Sequence, residues 1–158
     1  MKKPQIKIRS ARESDQPYLL KLTKDALNYH HRIDPYYKPA SEYRALDEYI
    51  KKSLQNKNIR IIVAEYQERI VGYFVGLIQP APKHIAADRI GEIYDAFIVK
   101  KYRKHGLGTK MFNALLKWFK LHKIKHIEAT ADARNEISLR ASKKFGFFDY
   151  RIKRRLDI

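Results

Sequence analysis

Residues 103–110 read Arg-Lys-His-Gly-Leu-Gly-Thr-Lys, a basic run broken by two glycines at the threshold of an apolar periodic stretch. Gly106 and Gly108 lack Cβ atoms, so the backbone there can turn sharply and come close to a ligand. A helix starting near Leu107 presents unpaired N–H groups and the positive end of its dipole. With Arg103, Lys104 and Lys110 adding charge, this is a site for an anion, and a diphosphate suits it. The segment lacks the Gly-Lys-Ser/Thr ending of a nucleoside-triphosphate loop and the third glycine of a dinucleotide-binding loop. A Gly-x-Gly at a helix start can also be no more than a turn, so its surroundings decide its meaning. Upstream, Glu92 and Asp95 place two carboxylates in one β-rich run, each able to take a proton from a substrate or to sit in a solvated ion pair. Strand alternation puts them on opposite faces unless a bulge intervenes.

These groups need elements to hold them. Residues 5–10 alternate with period two and predict a strand. Ser14 or Asp15 can cap a helix with Pro17 in its first turn, running through Leu19, Leu22 and Leu27 to about Tyr29. A turn-rich stretch over 30–39 ends it, and Ser41 opens a second helix with Tyr43, Leu46, Tyr49, Ile50 and Leu54 at helical spacing. Runs at 59–66 and 70–78, parted by Gln67-Glu68-Arg69, predict a hairpin. Residues 90–99 form the strand that carries Glu92 and Asp95. Leu107, Met111, Leu115 and Phe119 then fall four residues apart, the clearest helix of the chain. A strand at 126–131, a short helix at 136–145 capped by Asn135, and a last strand at 147–156 complete the order β-α-α-β-β-β-α-β-α-β. Antiparallel hairpins followed by a β-α-β crossover make the fold class α/β with a mixed sheet, in a single domain over 1–158.

The pattern Ile98-x-x-x-x-Arg103-x-x-Gly106-x-Gly108, between a strand and an amphipathic helix, resembles the main cofactor motif of the GNAT acetyltransferase superfamily. Downstream, Asn135-x-x-Ser138 and Lys144-Phe145-Gly146-Phe147 are similar to the segment that closes those domains. The resemblance spans essentially the whole chain, and it implies acetyl-CoA as co-substrate with no metal. By that likeness, amides of Lys104, His105, Gly106, Leu107, Gly108 and Thr109 would hold the diphosphate beside Arg103. The main chain of Ala96, Phe97 and Ile98 would pair with the pantetheine arm, and Asn135 would reach the arm from the other side. The reaction implied is transfer of the acetyl group to a primary amine, whether small amine, peptide N-terminus or protein lysine. A lysine-like amine has a pKa of about 10.4 and arrives protonated, so a carboxylate must relieve it. Glu92, six residues before Ile98, matches the base position of some members and is favoured over Asp95. Where many members carry a tyrosine to protonate the departing thiolate, this chain has Ser142, a shorter and weaker acid, leaving water held by Ser142, or Tyr94 or Tyr150, as substitutes. The acceptor wall in such folds comes from the first two helices and their connection. Here that region holds Tyr29, His30, His31, Asp34, Tyr36, Tyr37 and Tyr43, rings and an acid that could hold a cation. The paired histidines lack a third metal ligand.

Composition bounds the alternatives. The 158 residues are 44% hydrophobic, enough for one core. The chain has no cysteine, so there is no disulfide, thiolate nucleophile or Cys-based zinc site. No window approaches the roughly 20 apolar residues of a membrane span, no signal peptide is legible, and a cytoplasmic location is expected. The 34 Lys and Arg against 17 Asp and Glu give a net charge of +17, a field that attracts polyanions. The basic residues are dispersed from Lys2 to Arg155, so a nucleic-acid module is not favoured. It remains the alternative function, as an acetyl-CoA-binding regulatory or ribosome-associated protein with little catalysis. Family members commonly follow the Gly-Phe segment with two strands. Here eleven residues remain after Phe147, enough for one strand, which would leave a sheet edge for a second copy to cover in a homodimer. Against this, Arg151, Lys153 and Arg155 put charge along that edge.

Overall fold

The computed structural model describes residues 5–158. Five strands form one sheet in the spatial order β1 (Lys7–Ser10), β2 (Ile59–Tyr66), β3 (Arg69–Pro80), β4 (Arg89–Ile98), β5 (Ile127–Ala129). Each neighbouring pair among the first four is antiparallel, and β4 and β5 are parallel. The helices are α1 (Gln16–Ile33) and α2 (Leu46–Gln55) before the hairpin, α3 (Leu107–Leu121) in the crossover, and α4 (Glu136–Phe145) after β5. None of the helices described is long and apolar enough to cross a membrane.

Alternation along β2 and β3 sorts the core into two layers. Ile61, Val63, Ile70 and Tyr73 pack with Leu19 and Leu22 of α1 and Leu46 and Ile50 of α2. Ile62, Ala64, Val71, Phe74 and Ile78 face α3 on the other side. The α3 residues Met111, Leu115 and Phe119 are completely buried, each contributing on the order of 1.5–3 kcal/mol. Their approach is close: a Cβ at Gly91 would lie 2.7 Å from the Phe119 ring.

Beyond shifts of one or two residues at strand ends, with β5 covering only 127–129 of the expected 126–131, three boundaries differ from the sequence expectation. The first helix runs four residues further, through His30 to Ile33, because the first true breaker is Asp34-Pro35. Asp15 stands at its N-cap position without capping it; its carboxylate accepts from the two terminal guanidinium nitrogens of Arg9 and from the Arg12 N–H. Ser41 lies in a single 3-10 turn, and the second helix begins only at Leu46. The last strand over 147–156 does not form. The segment is without secondary structure, and Phe148, Ile152 and Leu156 are exposed. β5, with only three residues, offers that segment a short template.

Candidate active site

β4 and β5 pair at Gly91↔Ile127, Glu92↔Glu128 and Ile93↔Ala129, and then part. β4 continues to Ile98 with β3 on its other side, so its far half has an open edge toward α4. The Val99 N–H donates to the Val71 carbonyl at 3.0 Å. Because antiparallel pairing alternates, Phe97 turns its main-chain groups to Tyr73 of β3, while Ala96 and Ile98 turn theirs into the gap. Of the three residues expected to pair with an extended ligand, Phe97 is therefore already committed. Arg103 is also not free as expected: its Nε donates to the Ile98 carbonyl at 2.6 Å and its guanidinium lies over the Phe97 ring.

The gap leads to the start of α3. After one 3-10 turn at Lys100–Tyr102, Lys104 (φ 67°) and Gly106 (φ 71°) are left-handed, a conformation that suits glycine and strains lysine. The helical ladder begins with Lys110 N–H to the Gly106 carbonyl at 3.1 Å. Gly106 supplies no side-chain cap, so the Leu107, Gly108 and Thr109 amides have no partner within the helix. A Cβ on Gly108 would lie 3.6 Å from Ile98 Cδ1 and 3.7 Å from Phe145 Cζ, which places this glycine where β4, α3 and α4 converge. His105 and Lys104 are exposed beside it.

The two carboxylates of β4 share a face. The register skips Tyr94 between Val75 and Gly76, so Glu92 stands opposite Leu77 and Asp95 opposite Val75, positions two apart on β3. This β-bulge corrects the expectation of opposite faces. The extra residue, Tyr94, is left unpaired against β3 and is about half exposed. Glu92 accepts from Gln79 Nε2 at 2.9 Å, within the paired half of β4. Asp95 lies beyond the fork and accepts from the Tyr73 hydroxyl at 2.6 Å. Thr23, Tyr49, Ser53, Tyr73, Tyr94 and Asp95 help line a cavity of about 30 Å³ under α1 and α2. Burial is the largest influence on the Asp95 carboxyl and raises its pKa, although Tyr73, the Ala96 amide and nearby His30 pull it down. Burial and Asp95 push the Tyr73 phenol well above its ordinary value. Burial and contact with Tyr94 do the same to Tyr49.

Across the gap, the end of α1 meets the loop before α4. Asn135 Oδ1 accepts from the Ser138 N–H at 3.2 Å, a helix cap, and from the Tyr29 hydroxyl at 3.4 Å. The Tyr37 hydroxyl donates to Asp132 at 3.1 Å. Arg134 donates to Asp132 at 2.9 Å and to Asp34 at 2.6 Å, and Arg155 reaches Asp34 at 2.9 Å. These partners cover Asp34 and, with Arg134 foremost, hold its pKa down to about 2. Asp132 is held lower still, chiefly by Arg134. His30 packs near Tyr29 and Tyr37, His31 Nδ1 is within 2.6 Å of the Tyr37 carbonyl, and Tyr36 and Tyr43 are exposed. Among the described residues no three His, Asp or Glu side chains come together as a metal site requires. Ser142 directs its hydroxyl to the Ser138 and Leu139 carbonyls of its own helix, and Tyr150 donates to Glu128 of β5. The sequence reading missed Tyr73 and Arg134. For Tyr73 a signal existed: a phenol inside an apolar strand needs a polar partner when buried.

Over residues 24–147 the chain matches the model of the Acetyltransferase (GNAT) family. No protein of curated function matches it. Solved structures agree in fold. BH1408 from Bacillus halodurans superposes with a TM-score of 0.85 at 18% identity, over 96% of this chain and 99% of that one. AAC(6')-Iy, in complex with the bisubstrate analog CoA-S-monomethyl-acetylneamine, gives 0.79 at 15% identity over 98% and 99%. A predicted acetyltransferase from Clostridium acetobutylicum, solved with acetyl-CoA, gives 0.74 at 21% identity over 97% and 96%.

Proposed function

Because the chain belongs to the GNAT acetyltransferase family, we propose that it moves the acetyl group of acetyl-CoA onto a primary amine by direct attack of the amine nitrogen. The observation that carries this reading is the fork between β4 and β5: an open strand edge that runs from the Asp95 carboxylate to a row of unpaired helix amides. In this reading the Leu107, Gly108 and Thr109 amides hold the diphosphate, with Lys104 and Lys110 adding charge. With the Ile98 carbonyl held by Arg103 and the Ala96 N–H turned to Asp95, the Ala96 carbonyl and the Ile98 N–H are the groups offered to the pantetheine arm, as to an added strand. Arg103, by holding the Ile98 carbonyl, fixes the end of that strand against the loop. The bulge at Tyr94 interrupts the β3–β4 ladder beside the fork, and in this reading a main-chain N–H there stabilises negative charge developing on the acetyl carbonyl oxygen.

Of the two carboxylates, Asp95 fits the base better than Glu92. It lies beyond the fork, and burial makes it a stronger proton acceptor than an ordinary aspartate. The acceptor ammonium gives a proton to Asp95, directly or through water. Its nitrogen bonds to the acetyl carbon, the carbon–sulfur bond breaks, and the thiolate leaves to be protonated. In this reading Tyr94, half exposed at the bulge, gives the thiolate that last proton and regains one from the second N–H that the new amide nitrogen sheds, whereas the Ser142 hydroxyl is engaged within its helix. AAC(6')-Iy is an aminoglycoside N-acetyltransferase by name, so a small amine is one acceptor class; a peptide N-terminus or protein lysine fits the exposed rim as well. The test is release of free CoA thiol from acetyl-CoA across a panel of amines. Release that requires the amine supports the reading, and its absence for every class defeats it.

A further inference from the structure

Arg155 places its guanidinium over the Tyr36 ring at 4.3 Å while donating to Asp34 Oδ2 at 2.9 Å. A ring face beside a carboxylate is a seat for an organic cation. Asp34 is oriented for it, since its Oδ1 accepts the Tyr36 N–H at 3.0 Å and so ties the carboxylate to the ring's own backbone. The two arginines on Asp34 are not equivalent. Arg134 is anchored: beyond Asp34 it contacts both carboxylate oxygens of Asp132, from its own loop. Arg155 comes from a segment without secondary structure, whose neighbours Ile152, Leu156 and Ile158 are exposed. Its other partner is exposed Asp157. The seat also lies next to the proposed site, because Arg134 precedes Asn135 and Tyr37 of the same connection reaches Asp132.

We infer that Asp34 and Tyr36 form a binding seat for an arginine side chain of an extended peptide acceptor, and that Arg155 occupies this seat in the free protein as an intramolecular stand-in. The inference rests on the acetyl-transfer reading only for the word acceptor. It accounts for how a chain of net charge +17 could receive a basic peptide: the attraction is local, from a carboxylate that stays ionised far into the acid range. A guanidinium is preferred to an ammonium because it is planar and can stack while donating in its own plane.

The probe is a synthetic peptide of residues 152–158 with a free amino terminus, compared with the same peptide carrying neutral, isosteric citrulline in place of Arg155. Binding is read by calorimetry against the full-length wild type and the Arg155→Ala, Asp34→Asn and Tyr36→Leu variants, in each case with CoA present. Emptying the seat in Arg155→Ala should tighten the arginine peptide by about fivefold or more and leave the citrulline peptide unchanged. Adding Tyr36→Leu, at an exposed position that cannot threaten the fold, or Asp34→Asn should abolish that gain. Equal affinity for the two peptides in Arg155→Ala would overturn the inference, as would an Arg155→Ala variant that only melts lower, with no gain in binding. Acetylation of the peptides separates the two readings. An arginine peptide that binds the emptied seat without being acetylated leaves the seat standing and counts against transfer to peptides. Equal acetylation of both peptides without a difference in KM keeps the transfer and removes the seat.

Discussion

Replacing Gly108 by valine separates ligand binding from folding. The new Cβ meets Ile98 Cδ1 at 3.6 Å and Phe145 Cζ at 3.7 Å, ordinary contact distances. Valine is also a slightly better helix residue than glycine, by a few tenths of a kcal/mol. The folding free energy should therefore change by less than about 1 kcal/mol, and the melting temperature by less than about 4 °C for a domain of this size. Binding should respond differently, because in the proposed complex the diphosphate approaches the Gly108 amide itself, where a branched side chain crowds it. Losing one hydrogen bond to a charged group costs about 1.5–3 kcal/mol, or about 10- to 150-fold in Kd. Gly91→Ala is the opposite control. Its Cβ would lie 2.7 and 2.8 Å from two atoms of the buried Phe119 ring. Overpacking of that kind costs about 1–3 kcal/mol, a fall of about 2–12 °C in melting temperature, while CoA affinity of the folded fraction stays near wild type. Calorimetric titration with acetyl-CoA and thermal melts of both variants read the two effects. A folded Gly108→Val protein with wild-type affinity would refute the assignment of the α3 amides to the diphosphate.

Asp95→Asn should raise stability at neutral pH while removing most of the transfer rate. Burial raises the Asp95 pKa in the fold, so the unfolded chain ionises first as pH rises. The stability this group lends is complete below the unfolded value of about 3.9 and is lost as pH climbs through the folded value. Melts against pH should show wild type and variant converging in acid and the variant higher at neutrality; a variant that melts lower at pH 7 would show that the ionised carboxylate is a net asset to the fold. We also propose a dimer that covers the exposed Phe148, Ile152 and Leu156 of the carboxyl-terminal segment, with salt strengthening it by screening Arg151 and Lys153. Sedimentation at high and low salt checks this, and a monomer at micromolar concentration in both would contradict it.

What could be read from the sequence was local. The two glycines, the basic run and the four-residue apolar spacing lie within one segment, and the loop and α3 formed as expected. The reach of α1 was misread because His30 and His31 look like turn residues, whereas nothing before Asp34-Pro35 forbids a helix. The last strand was misread for the opposite reason. Its alternating pattern is genuine, but a strand exists only with a partner, and β5 supplies three residues. The bulge at Tyr94 carries no glycine to announce it, yet it decides which face Glu92 and Asp95 share. The clasp of Arg134 and Arg155 on Asp34 joins residues 100 and 121 positions apart, a pairing that no local pattern encodes.

The central claim is that the fork between β4 and β5 is a catalytic acetyl-transfer site and not only a place to bind acetyl-CoA. Free CoA thiol should be followed continuously with saturating acetyl-CoA and an amine panel that includes an aminoglycoside, an amino-terminal peptide and a lysine peptide, in wild type and Asp95→Asn. The account predicts release that depends on one amine class, matches acetylated product one to one, and falls at least about 100-fold in Asp95→Asn at neutral pH. Tight acetyl-CoA binding with no amine-dependent release from any class would contradict it, and would make the protein a binding module of the same fold.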